Sequence, residues 1–438
     1  MAKMQLDFIP QSFLEFAHEL EKRGIEAYFV GGALRDQLLG REVHDFDLAS
    51  SARPDELITL FPDAHIVETG IEHGTVTFVL ADGNLEVTSF REDVEDRHGD
   101  HRHPAEVRFG RNLEEDLARR DFTINALALS PSGELIDLYG GLEDLRRRCL
   151  RAVGDPRRRF DEDALRILRA LRFASCLEFH IDAEAEAAIF AQRSLLKHLS
   201  VERIDHEMGR LLRGKGAASI LLHFKEVFAE IWPSFTANLE AAKRGELSAV
   251  FRGIENIAAC FEALGCEGNL REDFFFLFLT ADVAPELWPE AVFRAAMAMH
   301  GPRERADRLR ELARVLGDEP PLTLYDWKVF YHCYFKRLRS EHYFEMLRIL
   351  ARFSKRLSFD LSAFERAYQD FKDAELRGDP LRISDLEISG ADILAAELAT
   401  GRGISLALER ALELCFQEPT SNRRELLLAY LQDQLKDE

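Results

Sequence analysis

Tyr28-Phe-Val-Gly-Gly-Ala-Leu-Arg-Asp-Gln-Leu-Leu-Gly-Arg-Glu-Val-His-Asp-Phe-Asp47 is the stretch on which the rest of the chain is read. The β-prone apolar run Tyr28-Phe29-Val30 stops at Gly31-Gly32, and an amphipathic segment carrying Arg35 and Asp36 comes next. Glycines at a strand-to-helix turn let backbone N–H groups approach a phosphate, and the start of a helix favours its negative charge. Asp45 and Asp47 stand at i and i+2, so on a strand both carboxylates point to one face. Carboxylates so placed repel unless a cation lies between them, and beside phosphates that cation is usually Mg²⁺. A phosphate cradle followed by a metal pair outlines a nucleotidyl-transfer site. Gly-Gly alone is a common turn and a lone Asp-x-Asp a common solvated loop, so order and spacing carry this reading.

The bulk properties bound the problem. At 438 residues the chain suggests two to four domains. No apolar run reaches the ~18 residues of a membrane span, and the N-terminus lacks the pattern of a signal peptide. Cysteines 149, 176, 260, 266, 333 and 415 show no metal or disulfide spacing and read as reduced core residues of a cytoplasmic protein. A net charge of −21 argues against nucleic-acid binding by the chain as a whole. Between Arg146 and Arg172, however, ten arginines face only four acids, which leaves room for modest, salt-sensitive RNA binding there.

Periodicity divides the chain. A helix over 6–24 precedes a head in which strands (26–30, 45–49, 75–80, 85–90, 106–109, 134–138) mix with helices, and Asp82-Gly-Asn joins two of the strands as a hairpin. From about 157 onward strands disappear and helix succeeds helix. The aromatics of the second half, among them Phe274-Phe275-Phe276 and Trp327, read mostly as core.

Further motifs bear on chemistry. Glu86, in Glu86-Val-Thr-Ser-Phe-Arg91, lies on a strand expected beside that of Asp45 and Asp47, as a third carboxylate or as an exposed strand acid. Arg119-Arg120 suits triphosphate oxygens, or else forms a surface ion-pair cluster with Asp121. Asp121 and Asn125, four apart, would share a helix face, where one can accept from a ribose hydroxyl. Gly140-Gly141 permits a hinge or tight packing. In Phe160-Asp-Glu-Asp-Ala-Leu-Arg-Ile-Leu-Arg-Ala-Leu-Arg-Phe173, Asp163 and Arg166 are expected side by side on a helix. A carboxylate accepts from an exocyclic amine and a guanidinium donates to ring acceptors, which matches cytosine and adenine but not uracil or guanine. Glu162 can hold Arg166, while Arg169 and Arg172 extend the stripe toward phosphates. The competing account is a helix with ordinary i,i+3 ion pairs. In Ser200-Val-Glu-Arg-Ile-Asp-His-Glu207, Ser200 is expected to cap a helix and Arg203 to pair with Glu207.

Taken in order, GGALRD…HDFD, EVTSFR, RRDFTINALAL, DLYGGLEDL, EDALRILRALRF and SVERIDHE resemble the class II tRNA nucleotidyltransferase and bacterial poly(A) polymerase family over about residues 25–210. Leu386–Leu394 with Asn422–Leu426 is weakly similar to the family's RNA-binding tail, with Ala399–Ser405 replacing the usual glycine–proline turn. The resemblance implies an α+β protein: a polymerase-β-like nucleotidyltransferase head (1–150), then an all-helical neck (151–215), body (216–380) and tail (381–438). It implies untemplated addition of C, C and A to a tRNA 3′ end from CTP and ATP. Asp45 and Asp47 would bind Mg²⁺, with Glu86 as third acid. Gly32, Arg35 and Arg120 would hold the triphosphate, and Asp121 and Asn125 would sit near the ribose. Asp163 and Arg166 would read the base beside Glu162, Arg169 and Arg172. Family members that add A carry a loop where Glu92–His103 stands, shortened in CC-adding enzymes, so its presence disfavours a CC-only enzyme. The acidic ending Gln434-Leu-Lys-Asp-Glu438 disfavours poly(A) synthesis. An A-adding specialist stays open, as does a non-catalytic RNA-binding protein on the same scaffold; oligomeric state is not legible.

Overall fold

A computed structural model describes residues 2–434 apart from 68–69, 72–73, 93–107, 111, 245–246, 248–250, 252–255, 266–268, 285, 300–301, 335, 337 and 354–358. The elements begin β1 (Ala2–Lys3), α1 (Gln11–Lys22), β2 (Ala27–Val30), α2 (Gly32–Leu38), β3 (Asp47–Ser50), α3 (Pro54–Leu60), β4 (Ile66–Val67), β5 (Thr75–Leu80) and β6 (Gly83–Ser89). They continue with β7 (Arg91–Glu92), β8 (Arg108–Phe109), α4 (Leu113–Ala118), β9 (Leu127–Leu129), β10 (Glu134–Asp137), α5 (Gly141–Arg147) and β11 (Cys149–Leu150).

Eight strands form one sheet in the order β1-β10-β9-β2-β3-β6-β5-β4. It is mixed: β3 and β6 run parallel, and the other neighbours antiparallel. Phe29 and Val30 of central β2 are fully buried, as a strand covered on both faces requires. The β5–β6 hairpin pairs Leu80 with Gly83, whose φ of 136° a side chain would resist. α1 starts later than the periodicity suggests, because Pro10 takes an extended conformation at its N-cap. From α1, Phe16 packs on Phe78 of β5, their ring centroids 4.6 Å apart.

The expected helix carrying Asp121 and Asn125 does not form. Phe122 is extended and bridges Ala152, Thr123–Asn125 makes a single 3₁₀ turn, and β9 comes after it. Asp121 explains the break: its carboxylate accepts from the Phe122 N–H, a local bond that competes with helix. Asp45, expected on the strand, lies two residues ahead of β3.

Past the sheet come α6 (Pro156–Glu162), α7 (Leu165–Leu177), β12 (His180–Ile181), α8 (Ala183–Gln192), α9 (Val201–Arg213), α10 (Ala217–His223) and α11 (Lys225–Phe228). Strands do not vanish entirely, since β12 pairs parallel with β11. The helix expected over Phe160–Phe173 is two helices. Asp163 ends α6 with extended φ −150° and ψ 106°, and its carboxylate accepts from the Leu165 N–H. Gly140-Gly141 favours packing over a hinge: a Cβ on Gly141 would stand 2.2 Å from the Thr123 carbonyl oxygen.

The chain divides into two compact units, Met1–Pro233 and Ser234–Glu438. The first runs past the expected neck boundary at 215. The second has no strand among its described residues. Phe274, Phe275, Phe276 and Trp327 are buried there, as expected. Ile388, Ile393, Ala407, Ala411, Cys415, Leu427 and Leu431 form a separate cluster near its end. Asn422 joins the two tail motifs by accepting from the Glu387 N–H and donating to the Asp385 carbonyl. The cysteines are free among the described residues, although Cys333 is exposed rather than core. No helix among the described residues is long and apolar enough to cross a membrane.

Candidate active site

One cleft of about 730 Å³ in the first unit collects the sequence candidates: Gly32, Arg35, Asp45, Asp47, Glu86, Arg120, Asp121, Asn125, Asp163, Arg166, Arg169 and Arg172 all line it. Glu162 does not line it but supports Arg166 from behind, at 2.6 Å.

The strand ends build the acidic side. Gly31 turns β2 into α2 with φ 78°, and a Cβ there would lie 3.4 Å from both Arg120 Nη1 and Asp47 Oδ2. Parallel pairing sets Asp47 opposite Glu86, and Asp45 is exposed at the approach to β3. Burial first, then the charge of Glu86 with a smaller push from Asp45, raises the Asp47 carboxyl to about 6, against the pull of Arg120. Among the described residues no three His, Cys, Asp or Glu side chains are grouped to hold a metal ion. Asp45, Asp47 and Glu86 thus do not close into a three-ligand cage by themselves. Two carboxylate donors on the acidic side of the cleft, with room for water and phosphate oxygens, suit a hard divalent cation.

The arginines are held by carboxylates, most of them buried. Asp116, fully buried on α4, accepts from Arg119 at 2.5 Å and from Arg120 at 3.0 Å. Burial pushes the Asp116 carboxyl up, but these two guanidiniums hold it below its ordinary value. Arg35 is clamped by Asp36 at 2.7 Å and donates to the Asn125 side-chain oxygen at 2.7 Å. Asp121 accepts from Arg169 Nε at 2.7 Å and from the Asn125 amide at 3.1 Å, and Arg172 pairs with Glu207 at 3.0 Å. Asp121 therefore faces Arg169, not an open ribose position. Arg169 and Arg172 meet the cleft as neutralised pairs rather than as a free phosphate stripe. Buried carboxylates of this kind fix guanidiniums that would otherwise sample many rotamers.

Asp163 reaches the cleft from the break between α6 and α7 and Arg166 from the first turn of α7, rather than both from one helix face. Arg166 is tied to Glu162 and donates to the Arg119 carbonyl at 2.9 Å. Asp163 accepts from Arg203 through both oxygens at 2.9 Å. Arg203 therefore does not pair with Glu207, and Ser200 stands at the α9 N-cap without a side-chain bond. Sequence reasoning missed Asp116, left out Arg91 and Arg210 among the residues lining the cleft, and gave Arg203 to Glu207 rather than to Asp163. Asp116 had a signal, its spacing of three and four from Arg119 and Arg120. Arg203 meets Asp163 across forty residues, and no local pattern encodes that.

Residues 27–151 match the family described as "Poly A polymerase head domain", and residues 178–237 that described as "Probable RNA and SrmB- binding site of polymerase A". The resemblance read from the motifs thus holds. The chain is 50% identical over 226 residues to the CCA-adding enzyme of Enterococcus faecalis, covering 51% of this chain and 55% of that one. The CCA-adding enzyme of Bacillus licheniformis is 48% identical over 208 residues, 48% of this chain and 51% of that one. The matched part spans about half the length of these curated relatives. Among solved structures, the Bacillus stearothermophilus CCA-adding enzyme in complex with CTP aligns over 99% of both chains with TM-score 0.71 and 28% identity. The Thermotoga maritima CCA-adding enzyme complexed with tRNA aligns over 99% of this chain and 100% of that one, with TM-score 0.61 and 20% identity, a likeness of fold. A polymerase-β-like head on a mixed sheet, with a helical remainder after it, is the architecture of this chain.

Proposed function

We propose that the protein is a CCA tRNA nucleotidyltransferase, adding C, C and A to the tRNA 3′ end from CTP and ATP without a nucleic-acid template. The observation that carries this is the meeting, in one cleft, of a strand-end carboxylate pair, a Gly-Gly turn with fixed arginines, and the Asp163 and Arg166 groups. Asp45 and Asp47 would hold Mg²⁺, which supplies positive charge to the α-phosphate and lowers the pKa of an attacking hydroxyl. Arg35 and Arg120, beside Gly31-Gly32, orient the triphosphate so that pyrophosphate leaves in line. Asp163 accepts from the exocyclic amine of cytosine or adenine, and Arg166 donates to the ring acceptor beside it. Arg203 and Glu162 hold this pair, so that protein side chains, not a template strand, choose the base. No side chain need act as a nucleophile. The 50% identity to a CCA-adding enzyme and the whole-chain likeness to a CTP complex support the reading. A cytoplasmic setting accords with tRNA as substrate and with the free cysteines.

The loop on which A addition was expected to depend, Glu92–His103, lies outside the described residues from 93 onward. The test therefore uses tRNA transcripts ending before CCA, after C and after CC, each with Mg²⁺ and CTP, ATP or both. Stepwise completion from the bare end is expected. Extension of the CC-ended transcript alone, by one A, would identify an A-adding specialist. No extension, with RNA bound, would leave a non-catalytic RNA-binding protein.

A further inference from the structure

The cleft arginines divide by their partners. Arg35, Arg119, Arg120, Arg166, Arg169 and Arg172 each have a carboxylate. Arg210 also lines the cleft without a carboxylate partner among the described residues, and so does Arg91. The Arg91 Nη2 donates to Thr75 Oγ1 at 2.9 Å, and its buried Nε has no partner there. Asp116 is near, but its oxygens are engaged by Arg119 and Arg120, and toward Arg91 it accepts only from the backbone N–H, at 3.4 Å. Arg91 is half-buried, lines the cleft and feels the charges of Arg119 and Arg120, so an anion entering the cleft stabilises it.

Strand order says where that anion sits. Glu86 and Thr88 share one face of β6, being two apart. Thr88 pairs with Thr75 on β5, and their hydroxyls are 2.9 Å apart. Across the sheet, Gly31 succeeds β2, Asp47 lies on β3, Glu86 on β6 and Thr75 on β5. The Gly31-Gly32 side, with Arg35 and Arg120, and the Arg91–Thr75–Thr88 side therefore flank the carboxylates from opposite directions. In-line displacement at the α-phosphorus requires the attacking oxygen and the leaving pyrophosphate on opposite sides. With the triphosphate on the β2 side, the attacking RNA end comes from the β5–β6 side. We infer that Arg91, set by Thr75 and Thr88, binds the last phosphodiester of the RNA primer and so positions its 3′-hydroxyl. This rests on the transfer reading above.

The test measures steady-state extension by the full chain of a transcript ending before CCA, varying RNA and CTP separately, for wild type, R91A, R91K and T75V. R91A is expected to raise KM for RNA about tenfold or more, the loss of one charge-assisted contact, with KM for CTP little changed. R91K should recover most of that loss. The logarithmic salt dependence of RNA binding should flatten by about 0.7, the share of one single-strand phosphate contact. A rise confined to KM for CTP, or R91A matching wild type in every parameter, overturns the assignment. If R91A does not fold, T75V decides, since it keeps the charge: a raised KM for RNA alone supports the anchor and no change overturns it. If wild type extends no transcript, the transfer reading fails by itself. RNA binding then judges the anchor: a Kd weakened in R91A upholds it and an equal Kd overturns it.

Discussion

At the scale of single residues, Asp47 carries the sharpest consequence. Its carboxyl titrates near 6, raised from 3.8 chiefly by burial and the charge of Glu86. A folded-state value above the unfolded one means that the protonated group stabilises. In cation-free protein its contribution is complete below pH 3.8 and is lost as pH rises through about 6, by as much as about 3 kcal/mol. Asp47→Asn, which mimics the protonated form, should raise the melting temperature in EDTA at pH 8 and abolish transfer; a variant no more stable than wild type there would refute the buried-charge account. Transfer by the wild type should fall below about pH 6 as Asp47 takes up its proton, less steeply when Mg²⁺ is raised. Asp163→Ala should relax the choice of C and A over U and G while leaving RNA affinity close to wild type, checked by misincorporation with each NTP; unchanged selectivity would remove Asp163 from base reading. The acids and arginines were legible in the sequence because their types and order are local facts. Their pairing was not. Asp121 suits a ribose by type alone, yet its oxygens belong to Arg169, Asn125 and the Phe122 N–H.

Among elements, hydrophobic period placed six of the twelve strands of the described residues within a few residues, including the β5–β6 hairpin and the strand that brings Glu86 beside Asp47. It failed at Asp121 and Asp163, where a carboxylate bonded to a nearby backbone N–H ends a helical pattern. Both breaks fall in the cleft, because a side chain that leaves the helix face there can face a ligand. β9 was missed for a related reason: Leu127-Ala-Leu129 is wholly buried and apolar, and such a run has no alternation to read. Packing between elements yields two predictions. Gly141→Ala would drive a methyl into the Thr123 carbonyl, so stability should fall by about 1–3 kcal/mol in denaturant unfolding. Asp116→Ala would strand Arg119 and Arg120 without their shared carboxylate; KM for CTP should rise and stability fall by about 3 kcal/mol. Equal KM values with the stability loss alone would make Asp116 a structural residue only.

Across the whole molecule, charge and site pull in opposite directions. A net charge of −21 repels RNA at long range, while the cleft is lined by arginines whose partner acids are largely buried beneath them. Binding should therefore depend on short-range contacts made in the cleft and on surfaces elsewhere in the chain. The division at Pro233 makes this testable, because every residue lining the cleft lies in the first unit. A fragment of residues 1–233 keeps the sheet, Asp163 and Arg166, and the carboxylates beneath the arginines. It should fold, and should bind CTP in Mg²⁺ with an affinity close to that of the full chain, measured by calorimetry. Its affinity for a tRNA transcript should drop well below that of the full chain, since the second unit, with its separate tail core of Ile388 to Leu431, would supply the remaining RNA contacts. A folded fragment that binds tRNA as tightly as the full chain would confine RNA recognition to the first unit. A folded fragment that no longer binds CTP would mean that the nucleotide site needs residues beyond the cleft that the sequence and the structure both identify.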